Sequence, residues 1–337
     1  MAAKHNDVLT TFAFLATFLV VMCHTDDVLC SRPLAVEILG RTFSDANVYN
    51  FFCLSGYFLG RHMEERHWWR AAIAKRLQTL VVPYALWNLI YLAIHVVSGT
   101  AHATTGLKGV DQLFGIMPGS LPECRAMWYI KTLCLFVLVS PLFAWLLVKC
   151  RSLLSRAAFM AGGVAVYALL KSVGISDANY EALGLGGFNL LGLLFFLGGM
   201  CLSRCDLKES WTGPARSHPK SAVLAALLVW TASAVWAYFH PLCRELNVLV
   251  SASCLFVIAC AIRSLPAVLT RNSFFIYGSH VVMLGFLGRH VFMNWGGSPI
   301  VLYVGLAVGV TALAIVMSEI TRRIMPSLYA PLVGGRL

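Results

Sequence analysis

Charge is what this sequence has least of. Asp, Glu, Lys and Arg together make up 12% of the 337 residues, about half the ~25% usual in a soluble domain. Acids are the scarcer sign, with 15 Asp+Glu against 26 Lys+Arg. So little charge excludes a disordered chain, a nucleic-acid-binding domain and an ordinary cytosolic enzyme. Three further absences narrow the field. No stretch alternates apolar and polar residues in the way a barrel strand must, so a membrane β-barrel is excluded. No internal repeat of fixed period is visible, which weighs against a transporter or flippase of a lipid-linked glycan built from inverted halves. Cys201 and Cys205 have no second ligand pair nearby, so no metal site is expected. The other cysteines lie mostly in apolar runs, where Cys serves as a small hydrophobe. Cys30, Cys124 and Cys243 fall outside the runs; free thiols are the plain reading and a bridge is the alternative.

What fills the chain instead is apolar residues, 59% of the total. An apolar run of ~20 residues crosses the ~30 Å hydrocarbon core as a helix. Ten runs qualify, at about 8–25, 47–61, 77–98, 126–148, 156–173, 183–202, 221–240, 246–263, 273–293 and 299–321. The first lacks a small-residue cleavage site and is followed by nine others, so it reads as a span and not as a leader. Backbone groups in lipid must be satisfied within the segment, and these runs therefore predict helices. The expected fold is an all-α polytopic membrane bundle of about ten helices, forming a single transmembrane domain over residues 1–337.

The placement of charge predicts orientation. With the N-terminus inside, one side of the membrane holds 18 of the Lys and Arg residues, counting the segments 61–76, 149–156, 203–220 and 263–272 and both ends. The other side holds six: Arg32, Arg41, Lys108, Arg125, Arg244 and Arg289. Lys131 and Lys171 lie within spans. Basic residues accumulate on the cytoplasmic side, so both termini are expected there. The outer loops are relatively acidic, with Asp26, Asp27, Glu37 and Asp45 among them.

Several segments resemble one family. Phe51-Phe52 and Ser55-Gly56-Tyr57-Phe58-Leu59, then Lys75-Arg76, then Val82-Pro83-Tyr84 are similar to the acyltransferase family 3 pattern of an FFxxSGxxL span, a basic loop ending in Arg, and a helix opening on Pro and an aromatic. The first run ends in Val20-Val21-Met22-Cys23-His24, resembling the first helix of that family and its histidine. Met127-Trp128-Tyr129, Phe196-Leu197-Gly198-Gly199-Met200 and Ser273 to His280 fit in order. The sequence departs at one place: the family carries an Arg eleven residues before its histidine, and Ala13 stands there. The resemblance implies a bacterial inner-membrane O-acyltransferase of the surface-polysaccharide type. Such an enzyme takes an acyl group, commonly acetyl, from cytoplasmic acetyl-CoA to a hydroxyl of a carbohydrate or lipid-linked glycan.

Taken by themselves, the ionisable residues inside the apolar runs are the functional candidates. Acyl transfer to a hydroxyl needs a base that titrates near neutrality, which imidazole supplies. His24 is the first choice, and Asp27, three residues on, could orient its ring as a triad carboxylate does. The bland alternative is an interfacial histidine beside solvated acids. His280 is either a second catalytic group or a buried histidine bonded to a carbonyl. His95, His240 and His290 end runs and suit the interface. Lys131, Trp128 and Tyr129 could bind a sugar, or could be a snorkelling lysine with interfacial aromatics. The 61–76 loop, with Arg70, Lys75 and Arg76 beside Trp68 and Trp69, could hold the coenzyme A phosphates or be a basic amphipathic helix on anionic lipid with Trp as its anchor. Arg76, at the position the family pattern marks, is the first choice for the donor. Ser55-Gly56 lacks the flanking glycine of a nucleophile elbow and suits a tight helix crossing.

Overall fold

The computed structural model describes residues 2–26, 29, 33–100, 104–115, 120–173, 189–205, 209–292 and 295–335. It is 83% helical, and no strand occurs among the described residues. Among the described residues, seven helices are long and apolar enough to cross a membrane: Asp7–Thr25, Trp68–Val97, Arg125–Lys149, Leu153–Ser172, Pro219–Phe239, Pro241–Ile262 and Pro299–Ile324. Two more, Leu190–Leu202 and Ser273–Gly288, are apolar but shorter. The Leu190–Leu202 helix has 13 residues, ~20 Å at ~1.5 Å per residue, which is less than the hydrocarbon core. Part of the expected 183–202 run lies outside the described residues. The Asn47–Gly60 helix has 14 residues. The protein is thus an all-α, multi-pass membrane protein.

One boundary differs from expectation. The basic stretch before the third run is not a loop. A helix begins at Trp68 and runs through Arg76, continues through a wide turn at Leu77–Val81, and becomes the Val82–Val97 helix. Arg70, Lys75 and Arg76 therefore belong to the 30-residue Trp68–Val97 segment. The wide turn has a covalent cause. Pro83 has no N–H, and its ring crowds the carbonyl four residues earlier, that of Thr79. The chain widens there and continues. Gly334, at φ +65°, lies against this same carbonyl: a Cβ on it would sit 2.4 Å from the Thr79 oxygen.

The chain divides into two compact units, Met1–Phe51 with Leu207–Pro326 and Phe52–Asp206 with Ser327–Leu337. In the first, the Ala2–Thr25 helix packs on Arg244–Ile262, Ser273–His290 and Pro299–Ile324. The Tyr303 hydroxyl donates to the Met22 carbonyl at 2.9 Å. At the other end of these helices, Ser318 donates to Asn272 at 2.7 Å. The segment 34–46 is fastened at several points. Trp230 stacks on Phe43 with ring centroids 4.2 Å apart and donates its indole N–H to the Phe43 carbonyl. Asn247 bonds the Thr42 carbonyl at 2.9 Å, Arg244 grips Asp45 with two bonds of 2.7 and 2.8 Å, and Tyr238 donates to Glu37.

In the second unit, two helices touch through glycine. A Cβ on Gly56 would lie 1.9 Å from the Phe196 carbonyl oxygen, and one on Gly199 2.0 Å from that of Cys53. Backbones this close are available only to residues without a side chain, which explains Gly56 and Gly199 as a crossing. Above that crossing, Phe52 packs on Tyr129 and Phe136, at centroid distances of 4.8 and 5.1 Å. Asn189 accepts the Gly192 N–H at 2.6 Å and caps the Leu190–Leu202 helix.

Candidate active site

His24 occupies the last turn of the first helix, where a cation or polar ring complements the negative end of the helix dipole. It is half-buried. Facing it is His280 of the Ser273–His290 helix, fully buried, with the ring centroids 5.1 Å apart and the planes tilted by 45°. The two histidines that the sequence offered separately are thus neighbours. His280 Nδ1 lies 2.8 Å from the Tyr277 carbonyl. A carbonyl only accepts, so Nδ1 carries the proton and Nε2 keeps its lone pair. Tyr277 also flanks the ring at 6.0 Å and itself packs edge-on against Phe51.

Asp27 lies outside the described residues. Its neighbour Asp26 is buried, with its Cβ set against Gly40 and its Oδ2 3.9 Å from Arg41 Nε. The Arg41 side chain is 56% exposed, so it covers Asp26 with one edge and offers other donors outward. Neither Asp26 nor Arg41 stood out in the sequence as a site residue. The signal available was a basic residue in an acid-rich loop, with Gly immediately before it.

The remaining expected residues belong to the second unit. Arg76, half-buried, lies within electrostatic reach of Tyr129 and Cys134. Tyr129 is buried, and its hydroxyl is 3.5 Å from that of Ser55. The sequence grouped Tyr129 with Trp128 and Lys131 as sugar contacts, and Tyr129 is also the residue in electrostatic reach of Arg76. Lys131 points elsewhere and donates to the Gly115 carbonyl. Trp128 is half-buried, 6.4 Å from Phe52. Arg70 and Lys75 are exposed. His95 is paired to Glu123 at 2.6 Å, and His240 and His290 stack on Trp236 and Phe286. No group of three or more His, Cys, Asp or Glu able to hold a metal occurs among the described residues. Cys124 and Cys243 are free thiols.

The His24–His280 pair sets two proton-binding rings beside each other, one half-open and one buried. The sequence model of the acyltransferase domain of acyltransferase family 3 matches residues 14–319. That stretch contains His24, Asp26, Arg41, Arg76, Tyr129 and His280. No curated protein and no solved structure matches the chain.

Proposed function

The chain belongs to acyltransferase family 3, and we propose that it moves an acyl group, acetyl in the first instance, from acyl-CoA to a hydroxyl of a carbohydrate or lipid-linked glycan. The observation that carries this reading is the facing pair of imidazoles, His24 and His280, one half-open and one sealed. His24 is the general base on the acceptor hydroxyl, a role that contributes typically 10²–10⁴-fold. Asp27 is its orienting carboxylate. Arg76 takes the phosphates of the donor, with Lys75 and Arg70 adding positive charge on the same helix. Trp128 and Tyr129 give the sugar its aromatic contacts, and Lys131 reaches a sugar hydroxyl by exchanging its bond to the Gly115 carbonyl.

In this reading ten helices span a bacterial cytoplasmic membrane with both termini inside. Arg70, Lys75 and Arg76 lie at the start of a 30-residue helix, longer than the ~20 residues that span the core, so they stay on the inner side and the count remains 18 basic residues against six. The bias keeps its sign. The test is to incubate the purified protein with labelled acetyl-CoA and total membranes bearing glycans, and to follow CoA thiol release. Release that depends on the membranes and on His24 supports acyl transfer. A protein that moves intact lipid-linked glycan between leaflets, with no CoA released, would be a flippase.

A further inference from the structure

The two nitrogens of His280 are in unlike settings. Nδ1 is committed as a donor to the Tyr277 carbonyl. Nε2 is buried and has no hydrogen-bond partner among the described residues. A buried acceptor left unbonded is uncommon and calls for an explanation. His280 is also inaccessible from outside, while His24, whose ring is 5.1 Å away, retains an open edge. A molecule approaching from the open edge meets His24 first.

We propose that His280 is the inner member of a two-histidine proton relay, its Nε2 taking up the proton that His24 sheds. This rests on the acyl-transfer reading and assigns a role within it. As the acceptor oxygen bonds the acyl carbon, the acyl C–S bond breaks and its electron pair leaves on sulfur. The hydroxyl proton passes to one nitrogen of His24. The proton on its other nitrogen passes to His280 Nε2 once the His24 ring turns into hydrogen-bond reach of it, since Nε2 has no partner among the described residues in the resting arrangement. His280 is then an imidazolium, with Nδ1–H still donating to the Tyr277 carbonyl, which holds the ring's orientation and turns its dipole toward the charge. The return transfer gives a proton back through His24 to the departing thiolate, which leaves as CoA thiol. His280 is a positioning residue here, since it acts through His24 and does not touch the substrate.

The discriminating variant is His280→Asn, whose amide N–H can keep the bond to Tyr277 while Nε2 is lost. It is measured with the full-length protein, acetyl-CoA and glycan-bearing membranes, beside wild type and His24→Ala. The relay predicts a kcat lowered by on the order of 10²-fold and a KM for acetyl-CoA within about twofold of wild type, because the donor is bound elsewhere. His280→Gly opens a ring-sized space, and added imidazole is expected to restore turnover in proportion to its concentration. A merely structural histidine would not give that rescue. Wild-type kcat in His280→Asn, a defect confined to KM, or absence of rescue in a folded His280→Gly would each overturn the relay. If His280→Gly does not fold, the kcat of His280→Asn decides alone. A wild-type protein that releases no CoA overturns the acyl-transfer reading and the relay together. An active wild type with an unimpaired His280→Asn overturns the relay only.

Discussion

Gly40→Ala is the sharpest probe of how the 34–46 segment serves the first helix. The added Cβ would lie 2.8 Å from Asp26 Cβ and 3.0 Å from its Cγ. Carbon pairs rest at about 3.5–4.0 Å, so the two backbones must part by about 1 Å at this point. The neighbour is the root of a side chain, with no free rotation to absorb the move. Asp26 follows His24 by two residues, just past the end of the same helix, and a ~1 Å misplacement at a reacting group can cost about 10²-fold in rate, or ~2.7 kcal/mol of barrier. The effect on folding is smaller. Overpacking costs about 1–3 kcal/mol, and replacing Gly by Ala in a helical turn returns about 0.5–1 kcal/mol, leaving a net loss of ~1 kcal/mol. Turnover is therefore expected to fall far more than stability. Gly305→Ala and Gly162→Ala serve as controls, since nothing lies within 4 Å of a Cβ at either position. The assay is CoA release from acetyl-CoA at saturating donor, with thermal unfolding in detergent measured on the same preparations. Wild-type turnover in Gly40→Ala would show that the contact between Asp26 and the 34–46 segment has no part in placing His24. Equal losses in the controls would show that the effect is not local.

Three other outcomes are expected. His24→Ala should lower turnover by at least 10²-fold while leaving thermal unfolding near wild type, because its half-open site tolerates truncation; full retention of CoA release would remove His24 from the chemistry. Arg76→Ala should raise KM for acetyl-CoA with kcat little changed, and Arg76→Lys should recover only part of the loss, since the ammonium lacks the planar two-pronged donor of guanidinium; a pure kcat defect would place Arg76 elsewhere in the mechanism. Gly199→Val should destabilise by more than the usual overpacking of ~1–3 kcal/mol, because its Cβ would be 2.0 Å from the Cys53 oxygen and backbone cannot rotate away; a melting temperature unchanged in detergent would mean that the two helices are not in contact there.

The helical fold was legible because lipid leaves the chain few choices. Backbone groups in hydrocarbon must be satisfied locally, so an apolar run of sufficient length reads as a helix from composition alone. One side of the glycine crossing was legible for a similar reason, since Ser55-Gly56 offered close approach. The partnership of His24 with His280 was not. It depends on the rotation of two helices whose histidines are 256 positions apart, and rotation is set by packing over the whole unit. Asp26 and Arg41 were missed on the same ground. Their meeting requires the wide turn at Leu39–Phe43, held by Trp230 and Asn247 from other helices.

The continuity of the Trp68–Arg76 helix with the run that follows it is a different matter: a helix there was one of the two readings, and the run was begun too late, at 77. Hydropathy reports where a run stops being apolar, not where a helix stops. Trp68-Trp69-Arg70-Ala71-Ala72-Ile73-Ala74-Lys75-Arg76 contains neither Gly nor Pro, and Ala, Arg and Lys are among the best helix formers. Helix propensity would have carried the boundary back through the charges. The consequence is chemical. An arginine in a loop is hydrated and shared with lipid phosphates, and contributes little selectivity. An arginine held on a helix beside a buried tyrosine has lost part of that hydration, so an incoming anion gives up less to displace the remainder, and the guanidinium fork meets it already oriented. That is why the Arg76 prediction is framed as a change in donor KM. Arg70 and Lys75, exposed on the same helix, are expected to respond to ionic strength instead.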